Sequence, residues 1–234
     1  MPVLFRALAP ALALLIGVAA PSARADAPVA PRIPEQASNP AWEADMRHFA
    51  ELDARTPPPR HAVLFVGSSS IRMWDSLASD FPGQAVINRG FGGSEIRDST
   101  WYADRIVIPY APRLIVFYAG DNDLNAGRSP RQVRDDFLAF VSRVRRDLPK
   151  VRIAFISIKP SPSRAQLLPA ITESNRLVRE AIAGLARVDY LDVHTPMLGA
   201  DGQPRAELFR EDRLHMTPAG YAIWRQVIAP ELKR

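Results

Sequence analysis

The chain has 234 residues, of which 47% are apolar, and this suits one domain with a sizeable core behind a short leader. Cysteine is absent, which excludes disulfides, a thiolate nucleophile and cysteine-based metal sites. The net charge of +5 is a mild excess for this length. Arginines on solvated helix faces explain this excess more simply than nucleic-acid binding, so no nucleic-acid partner is predicted.

The N-terminus has the pattern of a secretory signal. Arg6 supplies a positive charge, residues 7–20 are apolar and rich in leucine and alanine, and Ala23-Arg24-Ala25 matches the small-x-small cleavage pattern. An uncleaved membrane anchor is the weaker alternative, because the apolar run is shorter than the ~20 residues of a membrane span. We expect residues 1–25 to be a signal peptide. The mature protein would then be exported, periplasmic or secreted, without a membrane span.

Two segments lie between this leader and the first apolar run. Residues 26–40 contain four prolines among small and polar residues, which predicts an extended N-terminal tether. Residues 41–55 place their large apolar side chains on one face and predict an amphipathic helix, which the prolines at 57–59 end. The main domain is therefore expected to span residues 41–234.

Apolar runs then alternate with amphipathic patterns. The runs predict strands at 62–66, 85–88, 114–118, 151–158 and 188–193. The amphipathic patterns predict helices at 71–77, 133–144, 166–184 and 218–228. This alternation is typical of an α/β protein, a three-layer α/β/α, flavodoxin-like fold with about five parallel strands and helices on both faces.

The first predicted strand runs into Gly67 and three serines, Ser68, Ser69 and Ser70. The carboxyl edge of an open α/β sheet is where such folds bind ligands, so a hydroxyl there is a candidate nucleophile. Two further loops are expected at the same edge. One runs from Asn88 to Ser94 and contains three glycines, and the other is Gly120-Asp121-Asn122-Asp123. Alone, each loop is an ordinary turn.

The candidate base lies near the C-terminus. Asp212 and His215 are three residues apart, just before a helix that Thr217 caps. That spacing can bring the carboxylate to Nδ1 of the imidazole and leave Nε2 free to act as a base. His194, two residues after Asp192, is the rival base, and we weight it well below His215.

In this order and spacing the motifs resemble the SGNH hydrolases, also called the GDSL esterase/lipase family, over about residues 62–226. The family blocks are matched by Gly67-Ser68-Ser69, by Asn88 through Gly93, by Gly120 with Asn122 and Asp123, and by Asp212 with His215.

The resemblance implies a role for each matched position. Ser69 would be the nucleophile, and His215 and Asp212 would complete a catalytic triad. The backbone amides of Ser69 and Gly93 and the side-chain amide of Asn122 would form the oxyanion hole.

The sequence departs from the family pattern beside the nucleophile. Ser68 stands where the family has aspartate. That aspartate is not a triad member, but its replacement leaves a choice among Ser68, Ser69 and Ser70, in which the spacing from Gly67 favours Ser69. The motif Gly-x-Ser-x-Gly is also missing, because Ile71 occupies its last position, and this argues against an α/β-hydrolase nucleophile elbow.

The resemblance implies a serine esterase, which the leader marks for export, and we expect it to cleave short-chain or carbohydrate-linked acetyl esters through an acyl-enzyme. Its partner would be a small-molecule or glycan acyl ester, and no cofactor and no metal would be required. Three alternatives stay open. They are a lysophospholipase- or thioesterase-type lipid acyl hydrolase, an O-acyltransferase with the same triad, and a non-catalytic binding domain.

Overall fold

A computed structural model describes residues 1–2 and 40–234. The predicted signal peptide at 1–25 and the tether at 26–40 fall almost entirely outside the described residues, so both stay predictions. Within the described ranges, none of the helices combines the length and apolar character needed to cross a bilayer.

The centre of the protein is a parallel sheet of five strands. The strands are β1 Val63–Gly67, β2 Val86–Gly90, β3 Leu114–Tyr118, β4 Arg152–Ile156 and β5 Val188–Leu191. Their order across the sheet is β2-β1-β3-β4-β5, and every neighbouring pair is parallel. The predicted three-layer α/β fold is confirmed. Two strands are shorter than predicted, because the chain leaves the sheet after Ile156 and after Leu191.

One α-helix precedes the first strand, and the others follow the strands. They are α1 Glu43–Arg55, α2 Ser69–Arg72, α3 Leu77–Asp80, α4 Ile96–Trp101, α5 Ala103–Ile106, α6 Asp121–Asn125, α7 Pro130–Asp147, α8 Leu168–Ile182 and α9 Pro218–Ile228. The helix predicted at 71–77 is wrong, since a turn separates α2 from α3. Ile71, Trp74 and Leu77 are all buried, so the apolar spacing reports three separate packing contacts rather than one helix.

Alternate strand residues pack on opposite faces of the sheet, as a sheet covered on both sides requires. Leu64 and Val66 of β1 belong to the core that lies beneath α1, α4, α5, α7 and α8. Val63 and Phe65 belong to a second core, formed with α2, α3 and α9. Helices are therefore packed against both faces of the sheet, and this packing holds the loops at the strand ends in place.

The strand order reverses between β1 and β3. These two strands are neighbours in the sheet, but the helices that follow them lie on opposite faces. In this strand order such a switch point opens a crevice at the carboxyl edge. Gly67 is paired with Gly90 on one side and with Tyr118 on the other, so three strand ends lie side by side there. Gly67 has φ +145°, and a Cβ on it would lie 1.7 Å from the Tyr118 carbonyl oxygen. Only glycine fits this exit from β1.

Candidate active site

Three side chains from two distant segments of the chain meet at this edge. The Ser69 hydroxyl oxygen lies 3.0 Å from Nε2 of His215, and Nδ1 of the same imidazole lies 2.6 Å from Oδ2 of Asp212. The serine begins α2 directly after β1, whereas the other two residues lie on the loop that enters α9. The structure therefore brings the sequence-predicted serine, histidine and aspartate into one hydrogen-bonded chain.

The loop that carries the histidine is folded around the aspartate. Oδ1 of Asp212 accepts hydrogen bonds from the backbone amides of Leu214 and His215, each at 2.9 Å. The Thr217 hydroxyl caps the first turn of α9 and fixes the far end of the loop. With one oxygen bound to backbone and the other to the ring, the carboxylate sets both the shape of the loop and the orientation of the imidazole.

Asp212 is ionised at neutral pH. Its partial burial alone would raise the pKa, but hydrogen bonds from the amide and ring of His215 and from the Leu214 amide outweigh that effect and lower the pKa of Asp212 to about 2. A carboxylate only accepts hydrogen bonds, so Nδ1 of His215 must be the donor in the 2.6 Å contact. In the neutral imidazole, Nε2 is then left to accept the Ser69 hydroxyl proton.

The environment separates the three adjacent serines. Ser68 and Ser70 are 1% and 2% exposed, and the Ser68 hydroxyl has no hydrogen-bond partner in the described part of the chain. The Tyr221 hydroxyl donates to the Ser70 carbonyl at 3.0 Å and ties α9 to α2. Ser69 lines the open cleft, and it is the serine whose hydroxyl meets His215.

The rival histidine is placed elsewhere. His194 follows β5 and lines a different hollow from the one that contains Ser69. Burial lowers its pKa, and its Nε2 has no hydrogen-bond partner among the described residues. Asp192 accepts from the amide and the hydroxyl of Thr195, at 3.0 and 2.7 Å, instead of from the His194 ring. This histidine and aspartate do not form a second dyad.

The cleft above Ser69 has a volume of about 580 Å³, and Gly93, Asn122 and His215 also line it. The Ser69 amide begins a helix and has no intrahelical acceptor. The Gly93 amide donates to no other residue in the described part of the chain.

Across residues 1–2 and 40–234, no group of three or more acidic or histidine side chains is arranged to hold a metal ion.

The side-chain amide of Asn122 is oriented from two sides. Its Nδ2 donates to the Ser94 carbonyl oxygen at 3.0 Å, and its Oδ1 accepts from Nη2 of Arg164 at 2.9 Å. Because a guanidinium only donates, Arg164 fixes the oxygen of the amide on its own side and leaves the nitrogen facing the glycine loop.

Buried charges support Asn122 from below. Lys159 is 1% exposed, and its Nζ lies 2.8 Å from Oδ2 of Asp121 and 3.2 Å from the Tyr118 hydroxyl. Nη1 of Arg164 lies 3.1 Å from the same Asp121 oxygen. Burial acts to raise the pKa of Asp121, but the two cations outweigh it and hold that pKa below its ordinary value. Two positive charges thus share one carboxylate beneath the cleft.

The glycine loop after β2 is fastened to the serine-bearing segment. Asn88 donates from Nδ2 to the Ile71 carbonyl at 2.7 Å and accepts the Gly90 amide at 2.9 Å. The Phe91 amide donates to the Gly67 carbonyl at 2.9 Å. A Cβ on Gly90 would lie 2.2 Å from the backbone nitrogen of Arg72, so glycine is needed where β2 passes α2.

Asp123, the last residue of the third motif, supports the site without reaching the cleft. It is fully buried, and its Oδ1 accepts the Ile96 amide at 3.0 Å, which joins α6 to the start of α4. Burial, together with the nearby charge of Glu95, raises its pKa to about 8. The residue is therefore a structural link between two loops of the site.

Sequence reasoning missed the arginines of the site. Arg164 and Arg72 both line the cleft, but neither belongs to a recognisable motif. Lys159 did carry a signal, since it directly follows a long apolar run and a lysine there is either at the surface or buried with a partner. Its partner Asp121 lies in the third sequence motif, Gly120 to Asp123.

Comparison with known proteins places the chain in a family. Residues 65–223 match the GDSL-like Lipase/Acylhydrolase family. The match spans more than half of the chain and begins and ends near the elements that carry the site. The protein belongs to the GDSL-like lipase/acylhydrolase family, and the resemblance drawn from its motifs is confirmed.

Among curated proteins, the chain is similar to the platelet-activating factor acetylhydrolase IB subunit alpha1 of Bos taurus. The two are 27% identical over 188 residues, which cover 75% of this chain and 76% of the bovine protein. The human subunit of the same name has the same identity and coverage. Among solved structures, a GDSL-like lipase from Bacteroides thetaiotaomicron has a TM-score of 0.68 at 21% identity, covering 81% of this chain and 98% of that one. This structural likeness supports the fold alone.

Proposed function

We propose that this protein is a serine carboxylic-ester hydrolase that removes short acyl groups, acetyl above all, through an acyl-enzyme on Ser69. The observation that carries the proposal is the chain of contacts from Ser69 through His215 to Asp212, with 3.0 and 2.6 Å between the heavy atoms. A serine hydroxyl is a weak nucleophile until a positioned base takes its proton, and this geometry supplies that base.

In the first half of the reaction, the Ser69 oxygen attacks the ester carbonyl carbon while its proton moves to Nε2 of His215. The carbonyl oxygen takes up the negative charge of the tetrahedral intermediate. The imidazolium then gives the proton to the departing alcohol oxygen, and the carbon–oxygen bond breaks. Asp212, ionised at neutral pH, stabilises the imidazolium and holds it in this orientation throughout.

In the second half, a water molecule replaces the alcohol. Nε2 of His215 takes a proton from that water as its oxygen attacks the acyl-enzyme, and it returns the proton to Ser69 as the free acid leaves. An acyltransferase would differ only in using a sugar hydroxyl in place of water. The cleft is open to solvent at Ser69, which favours hydrolysis.

The negative charge on the carbonyl oxygen needs donors in place before the reaction. The amides of Ser69 and Gly93 and the Asn122 side chain are the three proposed donors. One donor of this kind contributes ~3 kcal/mol to lowering the barrier, because its dipole is already aligned when charge develops. Arg164 acts on Asn122 from the far side and increases the polarity of its amide.

Two observations support a short acyl group. The curated relatives are acetylhydrolases by name. The cleft is lined largely by glycines, arginines and the catalytic side chains, and Met73 and Leu214 are its apolar members. A long acyl chain needs an extended apolar groove, which two side chains do not provide. The pattern of the first 25 residues supports export of the protein.

The test of this function is a panel of nitrophenyl esters of increasing acyl length, together with acetylated sugars, assayed for release of free acid. We expect the highest kcat/KM for acetyl esters and a steep fall beyond butyryl. A second arm supplies a free sugar as acceptor, and transfer of acetate to that sugar in excess of hydrolysis would favour the acyltransferase alternative. Absence of turnover with every ester, in folded protein, would contradict the proposal.

Replacing Asn122 with alanine tests the proposed oxyanion hole. We expect kcat to fall about 10²- to 10³-fold with little change in KM, because the lost hydrogen bond forms only as the carbonyl oxygen becomes charged. Asn125→Ala is the matched control, since Asn125 is an exposed asparagine at the end of the same helix. Equal kinetic effects of the two substitutions would remove Asn122 from the oxyanion hole.

A further inference from the structure

Arg72 lies close to the candidate nucleophile but belongs neither to the catalytic triad nor to the oxyanion donors. It ends α2, three residues after Ser69, and residues at that spacing share one face of a helix. It lines the cleft together with Gly93 and His215. Its guanidinium runs along the glycine loop, where a Cβ on Gly92 would come within 2.9 Å of Nη1. Glycine at position 92 therefore leaves the space that this side chain occupies.

The guanidinium of Arg72 is exposed and has no hydrogen bond or ion pair with any other residue of the described part of the chain. Arg164, which also lines the cleft, is engaged by Asp121 and Asn122. An exposed guanidinium presents a planar set of donors that matches a carboxylate or a phosphate in a bidentate manner. At the mouth of a reaction cleft, such donors are available to a ligand.

The charges around the cleft favour an anion on its inner side. Lys159 and Arg164 together face one carboxylate, that of Asp121, so the buried network beneath the cleft carries a surplus positive charge. The nearest acid of the catalytic chain, Asp212, is bound to the far side of the His215 ring.

Arg72 also lines a second hollow, whose charges differ from those of the cleft. This hollow has a volume of about 440 Å³ and is also lined by Asp45, His48 and Asp75. Its two carboxylates disfavour an anion, so the side of the guanidinium that faces Ser69 is the more favourable one for anion binding.

We propose that Arg72 forms an anion subsite of the cleft and that the preferred substrate is a short-chain ester whose alcohol part carries a carboxylate or phosphate. This inference rests on the proposed function, since an acetyl group has no room for a charge and the anion must then belong to the alcohol. The subsite would orient the alcohol so that its oxygen faces Nε2 of His215.

The experiment compares pairs of acetyl esters that differ in one charge. The first pair is 4-acetoxybenzoate and its methyl ester, and the second is an acetylated sugar phosphate and the unphosphorylated sugar ester. We expect wild-type protein to favour the charged member of a pair about tenfold in kcat/KM, mostly through KM. The preference should shrink as the salt concentration rises. The two pairs distinguish a carboxylate from a phosphate as the recognised group.

Arg72→Gln is the decisive variant, read as the ratio of charged to neutral ester so that a general loss of activity cancels. We expect the ratio to fall to about one, whereas Arg131→Gln, which changes an exposed arginine on α7 outside the cleft, should keep the wild-type ratio. A ratio that survives Arg72→Gln, or a wild-type ratio near one, would overturn the inference.

Charge on the acyl side provides a further arm. Phenyl hydrogen succinate carries its carboxylate on the acyl group, and its methyl ester is the neutral partner. A preference for this charged ester over 4-acetoxybenzoate would overturn the assignment to the alcohol.

Failure of the inference and failure of the proposed function are distinguishable. If neutral acetyl esters are hydrolysed through Ser69 without any charge preference, only the role of Arg72 fails, whereas the absence of all hydrolysis defeats both.

Discussion

Replacing Ser69 with alanine should lower kcat for acetyl-ester hydrolysis by roughly 10⁵-fold, because the acyl-enzyme can no longer form. The remaining activity would come from the oxyanion donors and from substrate binding alone. KM should change little, since the hydroxyl contributes mainly to the transition state. Steady-state kinetics on nitrophenyl acetate measure both quantities.

Ser68→Ala and Ser70→Ala are the matched controls for this substitution. Both side chains are buried and do not line the cleft, so each variant removes one hydroxyl from the same short segment without touching the reacting atoms. We expect far smaller losses of kcat from either variant than from Ser69→Ala. A loss of similar size in Ser68→Ala with full activity in Ser69→Ala would reassign the nucleophile.

Replacing His215 with alanine should cost about as much as replacing the serine, roughly 10⁵-fold in kcat, because nucleophile and base act as one unit. The double variant Ser69→Ala/His215→Ala should then be hardly slower than either single variant. This lack of additivity separates a shared step from two independent contributions. Rate measurements on the three variants under one set of conditions provide the comparison.

His194→Gln is the control for the base, since it changes the one other histidine that the sequence made a candidate. His194 lines a hollow that does not contain Ser69, and it lacks a hydrogen bond to Asp192, so kcat should stay close to that of wild type. Full activity in His215→Ala together with loss in His194→Gln would contradict the geometry described here.

The fold was predictable because its signals are local. Apolar runs of strand length, separated by amphipathic segments, indicate a parallel sheet covered on both faces, and the start of the closing helix at Pro218 was predicted from its cap and its proline. The segment after β1 was the exception. Ile71, Trp74 and Leu77 have helical spacing, but they pack as separate contacts, and no local pattern distinguishes these two cases.

The candidate site was predictable only in part. The order of four short motifs pointed to Ser69, Gly93, Asn122, Asp212 and His215, and the structure brings Ser69, Asp212 and His215 together. Among the three adjacent serines the spacing from Gly67 favoured Ser69, but the burial of Ser68 and Ser70 and the contact of Ser69 with His215 depend on tertiary packing that the sequence does not show.

Contacts between separate loops were beyond sequence reasoning. Arg164 and Asn122 are 42 positions apart and follow different strands. The sharing of Asp121 between Lys159 and Arg164 likewise depends on where β4 lies beside β3. Such pairings follow from strand order and register, which one sequence does not specify.

Covalent labelling tests most directly whether Ser69 is an activated nucleophile. The protein is treated with a fluorophosphonate, cleaved with trypsin and analysed by tandem mass spectrometry, in which the peptide from His61 to Arg72 contains all three serines and its fragments distinguish them. We expect one adduct, on Ser69, with labelling greatly slowed in His215→Ala. An adduct on Ser68 or Ser70, or no adduct on folded wild-type protein, would contradict this assignment.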